Sequence, residues 1–478
     1  MRKVSLNLAD MPQIQVPDKI FSKGFRALYK CLHSNLAPPL GDHSDIWARP
    51  APRFPGAYFW DSSFIAQAWK LWDPTIGFRI LKPFVEFQAK NGRMPHNIFW
   101  GRKVGALSNP PFLAWAVHSL LEYHPEEKQA SFFLKPLIKF VQWRNKHRFN
   151  EENQLFFWEH SYESGIDNSP RYTSRDESED YGTKDLGAID LNSEIVLQQE
   201  AIIRIIEQFG QESAEKENMR NQMEDLVQNI EKKLWNAKDD LFGDLDFSTS
   251  HLKTKDTIAS YFPLILPDLS ESKEKILLKK LKAPQKYNTL IPTPTVALDS
   301  PEFVKDMWRG PVWINTSFLV VQGLKRREYS ELAGDFAYRL CKGVYHTWEN
   351  EGSFFEFYDP ERYDLCELSR KKGNLFKKIT LGSKPVKNFA GWTADVNTLL
   401  IEYVIGLFKE QNQWKIEPHL PKEWIQKGNV MKLTIPFYQV SLQIEIQENQ
   451  GTLAIKFLSG EKKKSLEVNN HEGVNLSF

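Results

Sequence analysis

Several features that often decide a protein's class are scarce or missing in this chain of 478 residues. Its three cysteines, Cys31, Cys341 and Cys366, are far apart, and their spacing fits neither a disulfide framework nor a metal site. No run of eighteen apolar residues occurs, so we expect no membrane span. Residues 1–17 lack the apolar core of a signal peptide. We therefore expect a cytoplasmic protein with reduced thiols and without a metal or another cofactor.

An excess of charge of one sign is also missing, because 62 basic residues stand against 61 acidic ones. The net charge thus favours neither a nucleic acid nor an anionic membrane as a partner. Aromatic residues, in contrast, make up 13% of the chain, with 15 tryptophans and 32 phenylalanines. Such rings serve both large cores and sugar sites, where the flat faces of pyranoses stack on them. Composition alone does not separate these two uses.

The spacing of apolar residues predicts twelve helices. They begin near residues 18, 61, 74, 109, 126, 190, 211, 254, 271, 310, 327 and 393. Asp61, Asn109, Asp190 and Thr393 are candidate N-caps. Short links alternate with long ones, and short links join antiparallel neighbours. Six hairpins of this kind suit a closed (α/α)6 toroid with the even-numbered helices inside, and they fit an open solenoid equally well.

The periodicity changes after residue 413. Val440, Leu442, Ile444 and Ile446 alternate with polar residues, which is the pattern of a strand with one buried face. We therefore predict two domains, a mainly α catalytic domain of residues 1–413 and a small antiparallel β module of residues 414–478. No catalytic candidate lies in the second.

Two acids lie in distinctive loops. Asp167 stands between the turn residues Gly165 and Pro170, and Glu356 lies in a frame of aromatic residues. Hydrolysis of a glycosidic bond needs two carboxyls, one that protonates the leaving oxygen and one that activates water or attacks carbon. Taken alone, Asp167 also fits an Asx turn and Glu356 a surface acid. Glu163 is a candidate for the second carboxylate that would keep Asp167 protonated.

Further polar and aromatic motifs precede the even-numbered helices. If those helices are the inner ones, their N-termini share one end and the motifs converge on one mouth. The candidate substrate-binding residues are Tyr58, Trp60, Asp61, His96, Asn97, Glu163, Asn168, Arg171, Trp308, Arg309, Trp313, Tyr358 and Trp392.

Each of these candidates also has a structural interpretation. The tryptophans could belong to the core, His96 could be a hydrogen-bonded structural histidine, and Arg309 could pair with a structural carboxylate. The acidic run 176–180 is typical of a solvated loop rather than of a calcium site. The basic segment 361–388 fits either a mobile lid or a solvated loop.

The motifs together resemble glycoside hydrolase family 63. They are Glu-Ser-Gly-x-Asp-Asn-Ser-Pro-Arg at 163–171, Trp-Arg-Gly-Pro-Val-Trp at 308–313, Phe-Glu-x-Tyr-x-Pro at 355–360 and the early Trp60-Asp61. The family includes processing α-glucosidases and bacterial mannosylglycerate hydrolases and is related to trehalases. The similarity covers roughly residues 45–410, and the chain looks more like the compact mannosylglycerate hydrolase type with an added β tail.

The resemblance implies an (α/α)6 barrel and hydrolysis with inversion of configuration. Asp167 falls on the family's general acid and Glu356 on its general base, while Trp60, Asp61, Arg309 and Trp392 fall among its sugar-binding positions. We expect an exo-acting α-glycosidase for a small α-glucoside or α-mannoside. The alternatives are a phosphorylase or epimerase on the same toroid and a carbohydrate-binding protein without catalysis. The sequence leaves the sugar, the aglycone and the oligomeric state open.

Overall fold

The computed structural model describes residues 8–39, 45–99, 103–174, 182–210, 214–370, 381–449 and 451–476. Its helices are α1 (Lys19–Ser34), α2 (Phe59–Trp72), α3 (Pro74–Glu86), α4 (Leu113–Tyr123), α5 (Glu127–His147), α6 (Ile189–Phe209), α7 (Ala214–Lys233), α8 (Glu271–Leu281), α9 (Ile314–Arg326), α10 (Ser330–Glu351) and α11 (Asp395–Leu399). A 3-10 helix spans Ile258–Ile265, another Trp392–Ala394, and a π-helical turn, Leu400–Ile405, continues α11. Among the described residues, no helix is both long and apolar enough to cross a membrane.

Short strands connect these helices. They are β1 (Gln13–Gln15), β2 (Leu36–Ala37), β3 (Trp47–Ala48), β4 (Gly56–Tyr58), β5 (Asn97–Phe99), β6 (Lys103–Val104), β7 (Phe149–Asn150), β8 (Leu155–Phe156), β9 (Leu186–Gly187), β10 (Trp235–Asn236), β11 (Leu241–Phe242), β12 (Asp244–Asp246) and β13 (Leu252–Lys253). Longer strands follow near the C-terminus. They are β14 (Leu407–Glu410), β15 (Gln413–Ile416), β16 (Val430–Ile435), β17 (Val440–Ile446), β18 (Thr452–Ser459) and β19 (Lys462–Asn469), with the short β20 (Val474–Asn475) last.

The helices fall into an inner and an outer group. Every residue of α2, of the 3-10 helix Ile258–Ile265 and of α11 is buried, whereas α7 buries 6 of its 20 residues along one stripe. A helix that is apolar on all sides needs neighbours on all sides, while an amphipathic helix covers a core with one face. The contacts follow this division. In the inner group α2 contacts α4, α4 contacts α6, α6 contacts the 3-10 helix, that helix contacts α9, α9 contacts α11, and α11 returns to α2.

The predicted N-caps need correction. α2 begins at Phe59 and α6 at Ile189, so Asp61 and Asp190 lie inside their helices, while α4 begins at Leu113, after Asn109. The free N–H groups find distant partners instead, since Phe59 donates to the carbonyl of His96 at 3.1 Å and Ile189 to the carboxylate of Asp244 at 3.0 Å. Thr393 lies within the 3-10 helix Trp392–Ala394. The eighth predicted helix, near residues 254–264, is the 3-10 helix Ile258–Ile265.

An antiparallel sheet forms most of the C-terminal part. Its strand order is β1-β16-β17-β18-β19, and Val440, Leu442, Ile444 and Ile446 of β17 are buried, as their alternation predicts. β1, from the start of the chain, pairs with β16 so that Ile14 stands opposite Leu433. β14 joins β15 and β20 in a second small sheet. The division at residue 413 stays a prediction, and strands from before it belong to both sheets.

Candidate active site

Four of the candidate tryptophans meet in one cluster. The rings of Trp308 and Trp313 stack at 3.6 Å, Trp60 lies 5.9 Å from Trp308, and Trp392 lies 5.5 Å from Trp60. These residues come from the regions where α2, α9 and α11 begin. The fold therefore brings three distant motifs of the sequence to one place, and it packs their rings largely out of solvent.

The loop of Asp167 lies directly on this cluster. Gly165 adopts a φ of +73°, and a Cβ at this residue would come within 2.5 Å of the Trp60 ring, so both the conformation and the space require glycine. Asn168 fixes the loop to the next motif. Its amide oxygen accepts a hydrogen bond from the Trp308 N–H at 3.0 Å, and its amide nitrogen donates to the Asp306 carbonyl at 3.4 Å. Asn168 is buried, whereas Asp167 is half-buried.

The loop of Glu356 contacts the tryptophan cluster at Trp392. The indole N–H of Trp392 donates to the Glu356 carbonyl at 2.8 Å, and the Thr393 hydroxyl donates to that of Phe355 at 2.7 Å. Tyr358 stabilises the loop. Its hydroxyl accepts a hydrogen bond from the Phe355 N–H, and its backbone forms a β-bridge with Val312. Burial raises the pKa of Tyr358. The Glu356 carboxyl is thereby held in a rigid frame, at 5% exposure.

Arg370 pairs with Glu356 and lies within the electrostatic reach of Asp167. Its guanidinium is buried and forms an ion pair with the carboxylate of Glu356. Burial lowers the pKa of Arg370 to about 10, and the negative charges of Asp167 and Asp306 oppose that shift. Asp167 and Glu356 therefore act on the same cation. Sequence reasoning placed Arg370 only in the basic segment 361–388, and nothing in the residues around it indicated a place in the site.

The same basic segment is described only in part. The N–H of Arg370 donates to the Ser383 carbonyl at 2.8 Å, and Lys384 donates to carbonyls of residues 365, 366 and 368. These contacts fix both flanks of the segment close to the site. Residues 371–380 lie outside the described residues, as does the acidic run 176–180.

Asp61 and Tyr58 lie beside Trp60. Burial raises the pKa of Asp61 to about 8, although a hydrogen bond with Trp60 opposes the shift, so this carboxyl is largely protonated at neutral pH. Burial and the charge of Asp61 raise the pKa of Tyr58, whose half-buried ring packs edge-on against Phe54 at 5.4 Å. A protonated carboxyl can donate a hydrogen bond as well as accept one.

Three charged candidates are engaged within the protein. Arg171 is buried between Asp190 and Asp244, with four hydrogen bonds of 2.6–3.0 Å to their carboxylates. Glu163 has no exposed surface and accepts hydrogen bonds from Arg148 and from the N–H groups of residues 108 and 159. Burial opposes ionisation of Glu163, but these bonds hold its pKa below the ordinary value. Arg309 is also fully buried.

Arg309 links the segment around Glu302 to the segment around Ser174 by hydrogen bonds. Its guanidinium donates to Glu302 at 3.1 Å and to the carbonyl of Ser174 at 2.6 Å.

His96 places Nδ1 at 2.9 Å from the Ser108 carbonyl. The amide oxygen of the nearly buried Asn97 has no hydrogen-bond partner among the described residues. Within the same part of the chain, no group of three or more His, Cys, Asp or Glu side chains could hold a metal ion.

Comparison with known proteins identifies the family of this chain. Residues 55–372 match the family described as mannosylglycerate hydrolase MGH1-like glycoside hydrolase domain. The mannosylglycerate hydrolase of Rubrobacter radiotolerans is 24% identical, over 66% of this chain and 88% of its own length. The crystal structure of a GH63 mannosylglycerate hydrolase from Thermus thermophilus in complex with Tris superposes with a TM-score of 0.63 at 19% identity, over 78% of this chain and 99% of that one.

A neutral trehalase from Saccharomyces cerevisiae shares the fold more distantly, with a TM-score of 0.57 at 14% identity over 79% of both chains. The match at residues 55–372 covers more than half of the chain. The chain therefore belongs to the MGH1-like glycoside hydrolases of family 63, which are related to trehalases, and it is an enzyme that hydrolyses O-glycosyl bonds.

Proposed function

We propose that this enzyme is an exo-acting α-glycosidase that hydrolyses a small α-glucoside or α-mannoside with inversion of configuration. One observation carries the proposal. Two acids from loops that are far apart in sequence lie near the buried guanidinium of Arg370 beside a cluster of tryptophans: Glu356 pairs with it, and the charge of Asp167 acts on it. Two carboxyls beside an aromatic surface are what cleavage of a glycosidic bond requires.

In the proposed reaction Asp167 is the general acid and Glu356 the general base. Protonated Asp167 donates its proton to the leaving oxygen as the glycosidic bond breaks. Glu356 takes a proton from a water molecule that attacks the anomeric carbon from the opposite face. Arg370 supports this division of roles, because a cation paired with Glu356 favours the ionised form that a base needs. The two carboxyls should lie about 6.5–9.5 Å apart, which leaves room for the water.

For substrate binding we propose Trp60, Trp308 and Trp392 as the aromatic surface, with Asp61 and Tyr58 as partners of sugar hydroxyls. His96 and Asn97 border the β4–β5 strand pair beside them, since Tyr58 stands opposite Asn97. Asn168, Trp313 and Tyr358 then act mainly by holding the loops. We assign three buried residues to a structural role because their side chains already form hydrogen bonds within the protein. They are Glu163, Arg171 and Arg309.

For the fold we propose a closed (α/α)6 toroid made by residues 1–413, with residues 414–478 as the β module. The circular order of contacts among the inner helices supports closure, since α11 returns to α2. Trp60 lies in the first turn of α2, residues 308–313 directly precede α9, and Trp392 begins the 3-10 helix that leads into α11, while the Asp167 loop lies further upstream of α6. In a closed toroid these helix starts share one end, which explains why the motifs meet. A cytoplasmic location is a further proposal.

Hydrolysis of methyl α-glucoside, methyl α-mannoside, trehalose, glucosylglycerate and mannosylglycerate, followed by NMR, tests the function. The attacked sugar should be released first as its β-anomer, so that trehalose gives one β-glucose and one α-glucose. Asp167→Asn and Glu356→Gln should each lower kcat at least about 100-fold, the usual scale of acid or base catalysis. Glu361→Gln, which changes a half-exposed acid after the same loop, should leave kcat unchanged.

Other outcomes would contradict the proposal. Release of the attacked sugar as its α-anomer, or of α-glucose alone from trehalose, would mean retention, and ordinary turnover in Glu356→Gln would remove this residue from the chemistry. Turnover only in the presence of phosphate would indicate a phosphorylase. Sugar binding without any turnover would indicate a carbohydrate-binding protein.

A further inference from the structure

Lys305 lies between three carboxylates of the segment that follows Glu356. Its ammonium group is 2.9 Å from Asp359, 3.0 Å from Glu361 and 2.6 Å from Glu367. The side chain of Lys305 is 13% exposed and that of Asp359 is fully buried. Glu361 and Glu367, in contrast, are half-exposed. An exposed ion pair contributes little, while a buried charge depends on its partner, so the contact with Asp359 is the important one.

Asp359 belongs to the end of the Glu356 loop. It stands three residues after this acid and directly after Tyr358, whose backbone is bridged to another segment. Its carboxylate also accepts the N–H of Glu361 at 2.9 Å, which closes a tight turn. Burial raises the pKa of Asp359, and the hydrogen bond from Lys305 opposes that shift. The charge of Lys305 thus keeps the end of the loop bound in its place.

The backbone of Lys305 holds the residue that precedes Arg370. Ser369 donates its N–H to the carbonyl of Lys305 at 2.9 Å, and its own carbonyl accepts from the N–H of Met307 at 3.3 Å. A parallel β-bridge joins the two segments at this point. The guanidinium of the next residue, Arg370, is paired with Glu356. Lys305 is therefore in contact with the segments of both partners of this ion pair.

The segment 305–308 also contacts the loop of Asp167. The side chain of Asn168 donates to the carbonyl of Asp306 at 3.4 Å and accepts from the N–H of Trp308 at 3.0 Å. One stretch of four residues is thus bound to both proposed catalytic loops. A shift of about 1 Å between catalytic groups can lower a rate about 100-fold, so the contacts of this stretch matter for the reaction.

We propose that Lys305 is a positioning residue, which holds the Glu356–Arg370 ion pair in place for catalysis. It acts through its side chain on Asp359 and through its backbone on Ser369. This role rests on the proposed function, in which Glu356 is the base. A substitution removes the side-chain contact and leaves the backbone contact, so it isolates the part that the charge of Lys305 plays.

The variant Lys305→Met tests this role. It should lower kcat/KM about fivefold, the scale of coupling between residues in contact. It should also move the acidic limb of the pH profile to higher pH, because a displaced Arg370 favours the ionised form of Glu356 less. The other charges that act on Arg370, those of Asp167 and Asp306, stay in place. Lys305→Arg keeps the charge and should restore part of the activity.

A double-variant cycle separates positioning from a general loss of stability. In enzyme that carries Arg370→Gln, adding Lys305→Met should leave the acidic limb where Arg370→Gln alone places it, because the effect passes through Arg370. Lys286→Met is the matched control. Lys286 is also mostly buried between two carboxylates, Asp256 at 2.9 Å and Asp299 at 3.0 Å, which belong to neither catalytic loop. Its loss should lower stability and leave the pH profile unchanged.

A second variant covers a failure to fold. Lys305→Met combined with Asp359→Asn removes both charges of the buried pair and should show the same shift of the acidic limb. The role is overturned if the acidic limb stays in place, or if the shifts of Lys305→Met and Arg370→Gln simply add. Ordinary turnover in Glu356→Gln would contradict the proposed function and this role together. Loss of turnover in Glu356→Gln with an unchanged pH profile in Lys305→Met would contradict the role of Lys305 alone.

Discussion

Arg370 is the residue on which the electrostatics of the candidate active site converge. It pairs with Glu356, and the charges of Asp167 and Asp306 also act on it. Its cation lies in a buried place, where charges interact more strongly than in water. This side chain therefore pairs with one proposed catalytic acid and experiences the charge of the other, although it lies outside every motif that pointed to them.

Replacement of Arg370 by glutamine should lower kcat/KM at least about tenfold and should move the acidic limb of its pH profile to higher pH. The reason is that Glu356 would lose the cation that favours its ionised form. Arg370→Lys keeps the charge and should restore part of the activity. Arg362→Gln, which changes a half-exposed arginine of the same segment, is the control. An unchanged pH profile in Arg370→Gln would contradict this role.

Asp61 should give the protein a stability that falls as pH rises. Burial raises its pKa from 3.8 to about 8, so between these values the folded protein holds a proton that the unfolded chain releases. Its contribution is complete below about pH 4 and is lost as pH rises through about 8. Asp61→Asn should remove a pH dependence on the order of a few kcal/mol.

Urea unfolding at pH 5, 6.5 and 8 measures this effect. The free energy of unfolding should decline with pH more steeply in the wild type than in Asp61→Asn. Asp335→Asn, at a half-exposed acid of α10, should keep the wild-type slope. Equal slopes in all three proteins would show that the pKa of Asp61 is not raised in the folded protein.

At the scale of elements, the loops of the site depend on contacts between segments that are distant in sequence. In the Asp167 loop, Gly165 packs against the Trp60 ring and Asn168 accepts a hydrogen bond from the Trp308 N–H. The N-termini of helices α2 and α6 likewise donate hydrogen bonds to other segments, to the carbonyl of His96 and to the carboxylate of Asp244. Met307, beside Trp308, has a φ of +48°, a conformation that is uncommon for a residue with a side chain.

The substitution Gly165→Ala should damage the site more than its backbone conformation alone explains. Its φ of +73° already disfavours alanine, and the new methyl group would also collide with the Trp60 ring. Gly352, which ends α10 with a φ of +68° and has open space around it, is the matched control. We expect Gly352→Ala to cost about 1 kcal/mol of stability with full activity. Gly165→Ala should cost more and lower kcat, and equal effects of the two changes would contradict the contact with Trp60.

At the scale of the whole molecule, the β module is joined to the helical part along a broad contact. Trp424 is fully buried, and its ring lies 5.2 Å from Phe21 of α1 and 5.5 Å from Tyr338 of α10. The hydroxyl of Tyr438 donates to the carbonyl of Lys70 at 2.6 Å. Since β1 also pairs with β16, both ends of the chain take part in this contact.

We therefore expect the two parts to unfold in one cooperative transition. Trp424→Ala should lower the stability of the whole protein by about 3–5 kcal/mol, the usual cost of removing a buried tryptophan. Differential scanning calorimetry should show a single peak that moves to a lower temperature. Trp235→Ala, at a partly buried tryptophan far from this contact in sequence, serves as a comparison. Two separate peaks in the wild type would contradict the cooperative unit.

Much of this organisation followed from the sequence itself. Helix α8 lies where periodicity placed it, α5 starts one residue later, and β17 spans its predicted residues 440–446, because each of these elements has one apolar face and local periodicity records such a face. The ordered motifs also identified the glycoside hydrolase family. The tertiary structure alone decided the rest. It enclosed Arg171 between Asp190 and Asp244, and it placed Arg370 against Glu356. These features depend on side chains that are 14 to 73 residues apart, and local patterns in a sequence do not record which charges meet when the chain folds.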